Sequence, residues 1–273
     1  MLMTKLKAIP FSALFGLTVI AMVALVGLFA PWLAPYGETA IVGEQYEPWS
    51  PEFVFGTDNL GRDMLSRLIY GARNTVGLAL FTTTIAFSIG SLLGILSALK
   101  GSWFDLLMSR LIDVLMAVPP LILALMLLAI VGPSMSNMVA VIALIYIAPV
   151  FRLARAAAQN VVQLEYVEAA RLRGEGTWWL IRHEILPNIT TTLVAEFGLR
   201  FCFVFLFIAA LSFLGLGIQP PTADWGSMVK ENATLITFGD ITPLLPAGAI
   251  ALLAVSVNFV VDWMLHQSSG LKD

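Results

Sequence analysis

The sequence predicts an all-α integral membrane protein with six transmembrane helices. Hydrophobic residues make up 59% of the 273 residues and charged residues only 12%, whereas soluble domains carry about 25% charged residues. The mean hydropathy is +0.88. Several uncharged stretches reach the roughly 20 apolar residues that a helix needs to cross the hydrocarbon core of a bilayer. Composition and stretch length therefore both indicate a multi-span membrane protein.

Five apolar stretches supply the six predicted helices. Residues 11–33, 74–99 and 241–261 contain no charged residue. The uncharged stretch 114–151 is too long for one span, and Gly132-Pro133-Ser134 divides it into a hairpin of two helices. The fifth helix, 189–218, is apolar apart from Glu196 and Arg200.

The first helix has an alternative interpretation as a cleaved signal peptide, because Lys5 and Lys7 precede it. Its apolar stretch is longer than the roughly 7–15 residues of a signal core, and Pro31 lies where a cleavage site needs small residues. Trp32 and Tyr36 are typical interfacial anchors. We therefore expect a retained helix.

The positions of Lys and Arg predict the orientation. With a cytoplasmic N-terminus, six spans return the C-terminus to the cytoplasm, and ten basic residues lie inside against four outside, as the positive-inside rule requires. The inside set is Lys5, Lys7, Lys100, Arg110, Arg152, Arg155, Arg171, Arg173, Arg182 and Lys272. The outside set is Arg62, Arg67, Arg73 and Lys230. We expect a multi-pass protein of the plasma membrane with both termini cytoplasmic.

Four regions follow from this arrangement. Residues 1–33 contain the N-terminal transmembrane helix, and residues 34–73 form an external segment rich in Pro, Gly and acidic residues. Residues 74–266 contain the five remaining spans, including a polar cytoplasmic loop at 152–189. Residues 267–273 form a short polar tail.

An amphipathic helix is predicted near the end of the external segment. Thr57-Asp58 is the expected N-cap. Asp63 and Arg67 lie opposite the apolar face. That face consists of Met64, Leu65, Leu68 and Ile69. We interpret this segment as an interfacial helix on the outer leaflet that leads into the second span. The alternative is contact with an external partner.

The 152–189 loop is predicted to form a helix–turn–helix. Residues 163–173 favour a helix, Gly174 and Gly176 end it, Thr177 caps a second short helix, and Pro187 ends that helix before the fifth span. A solvated loop is the alternative. It is less consistent with Trp178-Trp179-Leu180-Ile181, which are costly to expose to water and favour burial against lipid headgroups or in the groove of a partner.

Charged residues in or beside the spans require an explanation, because each is expensive in a bilayer. Glu196 and Arg200 are spaced for an i,i+4 pair, and Arg110 and Asp113 for an i,i+3 pair. Asp262 lies at the inner end of the last span. One interpretation is an ion relay, as in a secondary transporter that uses Glu196, Arg200 and Asp262. The other is a set of satisfied pairs that stabilise packing, and most of these residues lie near a cytoplasmic helix end.

Other classes of function find no support in the residues. There is no basic arm that would indicate nucleic-acid binding, and the formal net charge is −3. The sole cysteine, Cys202, excludes an intrachain disulfide. His183 and His266 are far apart in the sequence and make a poor metal site. We find no nucleophile with a base and no phosphate-binding loop, and Gly215-Leu-Gly217 is expected to end a helix.

Several motifs occur together and in order along the chain. They are Gly56-Thr-Asp-Asn-Leu-Gly-Arg-Asp63 with Arg67, Tyr70-Gly-Ala-Arg73, Arg110-Leu-Ile-Asp113 before Pro119, Glu165-Tyr-Val-Glu-Ala-Ala170, His183, Leu186-Pro-Asn188, Leu211-Ser-Phe-Leu-Gly-Leu-Gly217, Gln219-Pro-Pro221 and Trp225-Gly226. With them the chain resembles, nearly end to end, the dipeptide/oligopeptide/nickel branch of ABC-transporter permeases, specifically the shorter C-type partner of the permease pair. The resemblance implies the type I ABC importer (MetI-like) permease fold in a bacterial inner membrane.

The resemblance also implies roles for individual residues. Glu168, Ala169, Ala170 and Gly174 would form a coupling helix and its turn, set into a cleft of a separate ATPase subunit. Leu186 and Pro187 would close that element. Asp113 would lie near the cytoplasmic gate. Together with the charges discussed above, the possible gate or packing charges are Arg110, Asp113, Glu196, Arg200 and Asp262. Glu184 and the tail after Asp262 depart from the family pattern.

The implied function is that of a permease subunit of a binding-protein-dependent ABC importer for peptides or a related small solute. The implied partners are a second homologous permease, one or two kinds of ATPase subunit and an external substrate-binding protein. The ATPases would bind ATP, and this chain would hold no cofactor and would not be an enzyme. An ion-coupled secondary transporter is the alternative.

Overall fold

The computed structural model of the protein describes residues 10–269, with side chains to His266. This part of the chain is helical apart from turns, irregular segments such as residues 34–63, and two isolated β-bridges. The helices are α1 Phe11–Leu28, α2 Ala30–Leu33, α3 Met64–Gly71, α4 Gly77–Lys100, α5 Ser102–Ala117, α6 Pro120–Val131, α7 Met135–Val162, α8 Glu165–Leu172, α9 Thr177–Leu180, α10 Leu186–Phe213, α11 Trp225–Asn232 and α12 Leu244–Ser269.

The described residues do not include the two ends of the chain. The basic start at Lys5 and Lys7, and residues 270–273 of the predicted tail, lie outside them. Helix α12 continues to Ser269, three residues into the predicted polar tail.

The predicted hairpin and helix count agree with the helices of the described residues. Five helices are long and apolar enough to cross a membrane, and α5 with α6 makes a sixth if a bent pair counts as one span. The hairpin turn lies at Gly132–Ser134, between α6 and α7.

The sequence prediction missed the sharp bend in the third span. Helices α5 and α6 meet at 89°. Val118 is extended, with φ −100° and ψ 134°. Pro119 and Pro120 explain the break, because a proline lacks the N–H for the helical ladder and forces the residue before it out of the helical conformation.

Two predicted boundaries fall inside continuous helices. A π-helical segment, Ala72–Val76, joins α3 to α4 in one helix over 64–100, so the predicted boundary at residue 73 lies within it. A second π segment, Ile181–Ile185, joins α9 to α10. Pro187 therefore does not end a helix, and that prediction is wrong. It lies in the first turn of α10, where a missing N–H is tolerated and the wider π turn has already shifted the hydrogen-bond register.

The bundle is built around the close packing of α4 on α7. Glycines allow the approach, because a Cβ added at Gly90 would lie 2.8 Å from Val150 Cβ, and one at Gly94 would lie 2.6 Å from the carbonyl oxygen of Phe151. Helix α1 packs on α12 in the same way, with Gly16 against the carbonyl of Ser256. Side chains from α4, α7, α10 and α12 fill the central apolar core.

The continuous helix over 64–100 separates two ends of the molecule, about 55 Å apart at 1.5 Å per residue. At one end, Trp225 Nε1 of α11 donates to the carbonyl of Leu68 at 2.9 Å. We call this the α11 end. At the other end, Arg171 Nη2 donates to the carbonyl of Leu99 at 3.3 Å. We call this the α8 end.

The predicted amphipathic helix is α3, and its polar face is buried instead of exposed at a membrane surface. Arg67 is 1% exposed and Arg62 is 2% exposed. Arg62 Nε donates to Asp58 Oδ2 at 2.6 Å, and Glu231 of α11 accepts from both guanidinium groups, at 3.2 and 3.3 Å. The helix leads into the second span as predicted, but its polar face packs against the protein and not against solvent. A long-range ion-pair partner, which helical spacing within the segment does not reveal, draws the arginines inward.

The predicted N-cap of this helix is also wrong. Asp63 caps α3, since its Oδ2 accepts from the backbone N–H of Ser66 at 2.7 Å. Asp58 instead closes the preceding turn and accepts from the backbone N–H groups of Leu60 and Arg62, at 2.8 and 3.0 Å. Either carboxylate fits a cap by residue type, and the turn at 58–62 decides which one reaches a helix start.

Candidate functional site

A helix–turn–helix covers the α8 end of the bundle. Val167 and Ala170 of α8 are both fully buried. They pack in an apolar cluster with side chains of α4, α7, the second π segment and α10. We call this the α8 cluster, and it contains Ile95, Ala154, Ala158, Val161, Val167, Ala170, Leu180, Ile181, Ile185, Ile189 and Leu193. Helix α8 is thus fixed to three long helices at once.

The turn after α8 depends on Gly174. Its φ is +87°, a conformation that residues with a Cβ adopt only at a cost. The backbone N–H of Gly174 donates to the carbonyl oxygen of Arg171 at 2.9 Å, and that of Glu175 donates to the carbonyl oxygen of Ala170 at 3.2 Å. These two bonds close the end of α8. A Cβ at Gly174 would meet nothing within 4 Å. Glycine is therefore required there for conformation and not for space.

The second short helix starts differently from the prediction. Gly176 is the N-cap of α9, and it has no side chain to accept a hydrogen bond. Thr177 is the first residue inside the helix, so its predicted capping role is wrong. The extended conformation of Gly176, with ψ 162°, brings the chain into α9 one residue earlier than the capping pattern suggests.

The apolar residues of this element divide between core and surface. Leu180 and Ile181 are buried in the α8 cluster. Trp179 is half-buried and stacks on the His183 ring at a centroid distance of 4.8 Å. Leu172 and Trp178 remain 83% and 65% exposed. Two large apolar side chains at the surface of a polar loop are typical of a contact with another protein or with a membrane surface.

The residues predicted for coupling do not share one face. Glu168 and Ala169 are exposed beside Leu172, whereas Ala170 points into the bundle. Leu186 is half-buried and packs against the α8 cluster, and Pro187 is exposed. The structure therefore separates an outward group, which can meet a partner, from Val167 and Ala170, which anchor the helix.

The predicted pair of Arg110 and Asp113 is only marginal. The two groups are 4.0 Å apart, whereas Arg152 Nη2 of α7 donates to Asp113 Oδ1 at 2.6 Å. The main partner of Asp113 is therefore on another helix. The prediction missed Arg152, because spacing within one helix says nothing about the facing helix.

The sequence prediction missed a second ion pair between α5 and α7. Arg155 Nε and Nη2 donate to the two oxygens of Asp105, each at 2.5 Å, and Ser97 Oγ donates to Asp105 at 2.7 Å. This contact joins α4, α5 and α7. The signal was present in the sequence. Asp105 and Asp113 are eight residues apart on one face of α5, and Arg152 and Arg155 are three apart on α7.

The predicted pair of Glu196 and Arg200 is confirmed. Arg200 Nε donates to Glu196 Oε1 at 2.9 Å, and Arg200 Nη2 donates to the same oxygen.

Asp262 is exposed on α12. Cys202 is buried in α10, and the helix ends at Phe213 before Gly215, whose φ is +87°, as predicted.

At the α11 end, a buried carboxylate positions α11. Asp224 is fully buried, caps α11 by accepting from the backbone N–H of Ser227 at 2.8 Å, and accepts from the Thr75 hydroxyl at 2.8 Å. Burial raises the pKa of the Asp224 carboxyl above its ordinary value, although these hydrogen bonds oppose the rise.

No group of three or more metal-ligating side chains occurs among residues 10–269.

Apolar helices that are long enough to span a bilayer and pack against one another, with an exposed helix–turn–helix between α7 and α10, define a multi-pass membrane protein. The family described as "Binding-protein-dependent transport system inner membrane component" matches residues 90–268. The chain belongs to this family, and it is therefore a multi-pass inner-membrane transport component of a bacterium, with a permease role and not an enzymatic one.

Individual relatives cover nearly the whole chain. The chain is 38% identical over 272 residues to the di/tripeptide transport system permease protein DppC of Pseudomonas aeruginosa strain UCBPP-PA14, which covers 96% of this chain and 86% of the relative. It is 36% identical over 264 residues to the dipeptide permease DppC of Alkalihalophilus pseudofirmus, with 96% and 84% covered. It is 36% identical over 258 residues to the peptide transport system permease SapC of an Escherichia coli O6:H1 strain, with 92% and 87% covered.

Proposed function

We propose that this chain is a permease subunit of an ABC importer and forms, with a homologous second permease, the path for peptides or a related small solute. Family membership supports the binding-protein-dependent transport role. The names of the relatives support peptides as the solute class, because those described above are di/tripeptide, dipeptide and peptide permeases.

The observation that carries the coupling role is the two-sided construction of α8. Its inward side chains, Val167 and Ala170, lie in the α8 cluster together with residues of α7 and α10. Its outward side presents Glu168, Ala169 and the exposed Leu172. A partner that displaces α8 therefore moves the ends of the long helices in this cluster, since a close-packed cluster transmits displacement instead of absorbing it.

This arrangement supports the proposed partners. ATPase subunits, of one or two kinds, dock at the α8 end and bind the ATP, while this chain holds no cofactor. A substrate-binding protein docks at the opposite α11 end, where residues 34–63 fold over α11. With both termini cytoplasmic, the α8 end faces the cytoplasm. ATP-driven closure of the ATPases then opens the path toward the outside in an alternating-access cycle.

The alternative of an ion-coupled secondary transporter has less support. Glu196 and Arg200 pair with each other within one helix turn, which neutralises both charges. Asp262 lies on a different helix and is exposed. The family assignment also gives this alternative no support.

The first test is purification of the tagged chain from native membranes in mild detergent, with partners identified by mass spectrometry. We expect a homologous permease, ATPase subunits and a binding protein. Recovery of the chain alone, with transport that does not require ATP, would overturn the proposal.

A second experiment locates the ATPase contact. Leu172→Asp places a charge on the exposed apolar side of α8, and we expect it to remove the ATPases from the purified complex. Phe238→Asp is the matched control, because Phe238 is equally exposed, at 84%, but lies at the α11 end. Equal retention of the ATPases by both variants would contradict coupling through α8.

A further inference from the structure

A cavity of about 340 Å³ lies where the bend between α5 and α6 meets α7 and α10. Apolar side chains form most of its wall, and Arg200 is the one charged residue in its lining. The residues that define its shape are Val118, Pro120, Tyr146, Pro149, Arg200 and Phe203. Two of these elements are irregular, since α5 and α6 are broken beside Val118 and Pro149 lies inside α7.

Arg200 is deep in its helix. It lies 14 residues beyond Leu186, which is about 21 Å along α10. Its side chain is only 14% exposed. A guanidinium this far into an apolar span is expensive and is usually retained where it faces a polar path or a ligand.

The hydrogen bonds of Arg200 leave part of the guanidinium available. Nε and Nη2 both donate to one oxygen of Glu196, so the pair does not use the two-oxygen geometry that guanidinium and carboxylate prefer. Nη1 makes no hydrogen bond with any residue between 10 and 266, the range whose side chains the structure describes. The Tyr146 and Phe203 ring centroids lie 5.9 and 5.4 Å from the guanidinium carbon and hold the group in place.

We propose that Arg200 binds the carboxylate of the transported solute as it passes through this cavity. The proposal rests on the proposed function and extends it to a specific recognition group. A peptide with a free C-terminus offers a carboxylate for the unused guanidinium donors, and its neighbouring apolar side chain fits the apolar wall. Arginine suits this role because the N–H donors of its planar guanidinium group are spaced to bind both oxygens of a carboxylate.

Glu196 has a defined part in this site. It compensates the charge of Arg200 when the cavity is empty, and it weakens the attraction for an incoming carboxylate. A transport site must bind strongly enough to accept the solute and weakly enough to release it. Glu196 is therefore a positioning residue that sets how long the carboxylate stays.

The test compares the dipeptide Ala-Leu with Ala-Leu amide, which lacks the carboxylate. The complete complex is reconstituted in proteoliposomes, and both peptides are supplied at concentrations that saturate the binding protein, as measured separately. We expect the wild type to transport Ala-Leu about 10- to 100-fold faster than the amide, the ratio typical for loss of a charge-assisted hydrogen bond.

Three variants separate recognition from folding. Arg200→Gln is expected to slow Ala-Leu transport to the rate of the amide, so that the ratio falls to about one. Arg200→Lys keeps the positive charge but loses the paired guanidinium donors. We expect an intermediate ratio of the Ala-Leu and amide transport rates, in a complex that still assembles. Glu196→Gln is expected to lower both the half-saturating concentration and the maximal rate. Arg73→Gln, at an exposed arginine outside the cavity, is the control and should keep the wild-type ratio.

Two results would overturn the proposal. In the first, Arg200→Gln keeps the wild-type rate and ratio, which removes Arg200 from recognition while the importer role stands. In the second, Arg200→Gln and Arg200→Lys both lose the second permease on purification, which assigns Arg200 to a carboxylate of that subunit. Failure of the wild-type complex to transport either peptide would instead contradict the proposed peptide substrate.

Discussion

Arg67 of α3 and Glu231 of α11 are 164 residues apart in the chain, and their side chains meet at 3.3 Å between Nη2 and Oε2. Arg67 is fully enclosed, and the Glu231 side chain is 16% exposed. Because Arg62 donates to the same Glu231 oxygen, one carboxylate ties the external segment and α3 to the end of α11. The α11 end is thus held by charge as well as by apolar packing.

Glu231→Ala is expected to destabilise the protein strongly, because two buried guanidinium groups then share only Asp58. Loss of one partner of a buried ion pair costs about 3–5 kcal/mol. The measurement is the thermal unfolding midpoint of the purified protein in detergent. Glu52→Ala, at an exposed glutamate in the same external segment, should leave the midpoint unchanged. Equal midpoints for the two variants would show that the network contributes nothing.

Gly174→Ala and Gly176→Ala should differ although both glycines lie in the same turn. Gly174 has φ +87°, where a Cβ costs about 1 kcal/mol, whereas Gly176 has φ −76°, which alanine adopts freely. We expect Gly174→Ala to lower the substrate-stimulated ATPase activity of the reconstituted complex several-fold and Gly176→Ala to leave it near wild type. Gly174→Leu should behave like Gly174→Ala, since the space around Gly174 is open. A much larger loss with leucine would indicate a steric role.

Ala170→Leu and Ala169→Leu test the two sides of α8. Overpacking at the fully buried Ala170 is expected to cost about 1–3 kcal/mol and to loosen the helix from the α8 cluster. Protease sensitivity of the 165–187 element reports this loosening, and Ala170→Leu should raise it. Ala169→Leu should leave it unchanged and affect only ATPase binding. Higher protease sensitivity in Ala169→Leu than in Ala170→Leu would place the anchoring face of α8 elsewhere.

Asp224→Asn should be tolerated better than Asp224→Ala, because asparagine keeps a cap for α11 and removes a buried charge. Loss of the cap and of the hydrogen bond with Thr75 costs about 1–3 kcal/mol in the alanine variant. The thermal unfolding midpoints of both variants provide the comparison.

The same residue predicts a dependence of stability on pH. Burial raises the pKa of Asp224 in the folded state, so the folded protein binds the proton more tightly than the unfolded chain does. This contribution to stability is present below the unfolded pKa of about 4 and is lost as pH rises through the folded value. The midpoint of Asp224→Asn relative to wild type should therefore increase with pH. A constant difference would show that Asp224 does not titrate with folding.

The sequence predicted those parts of the site that depend on neighbours in the chain. The Glu196–Arg200 pair is one helix turn apart, and the turn at Gly174 follows from a glycine after a helix-forming stretch, so both could be identified without a structure. The partner of Asp113 could not, because Arg152 reaches it from a different helix. The inward direction of Ala170 also depends on where α7 and α10 lie. The coupling role of the outward residues stays a prediction.

By itself, the sequence determined the class of this protein, its apolar spans and the hairpin at Gly132–Ser134, because hydropathy and turn chemistry act over short stretches of chain. The tertiary structure alone decided that α3 buries its arginines, that Asp63 and not Asp58 caps it, and that the third span bends by 89° beside a cavity containing Arg200. These features depend on groups brought together from distant positions. A buried charge is stable only where such a partner compensates the loss of water, and no local pattern states which partner that is.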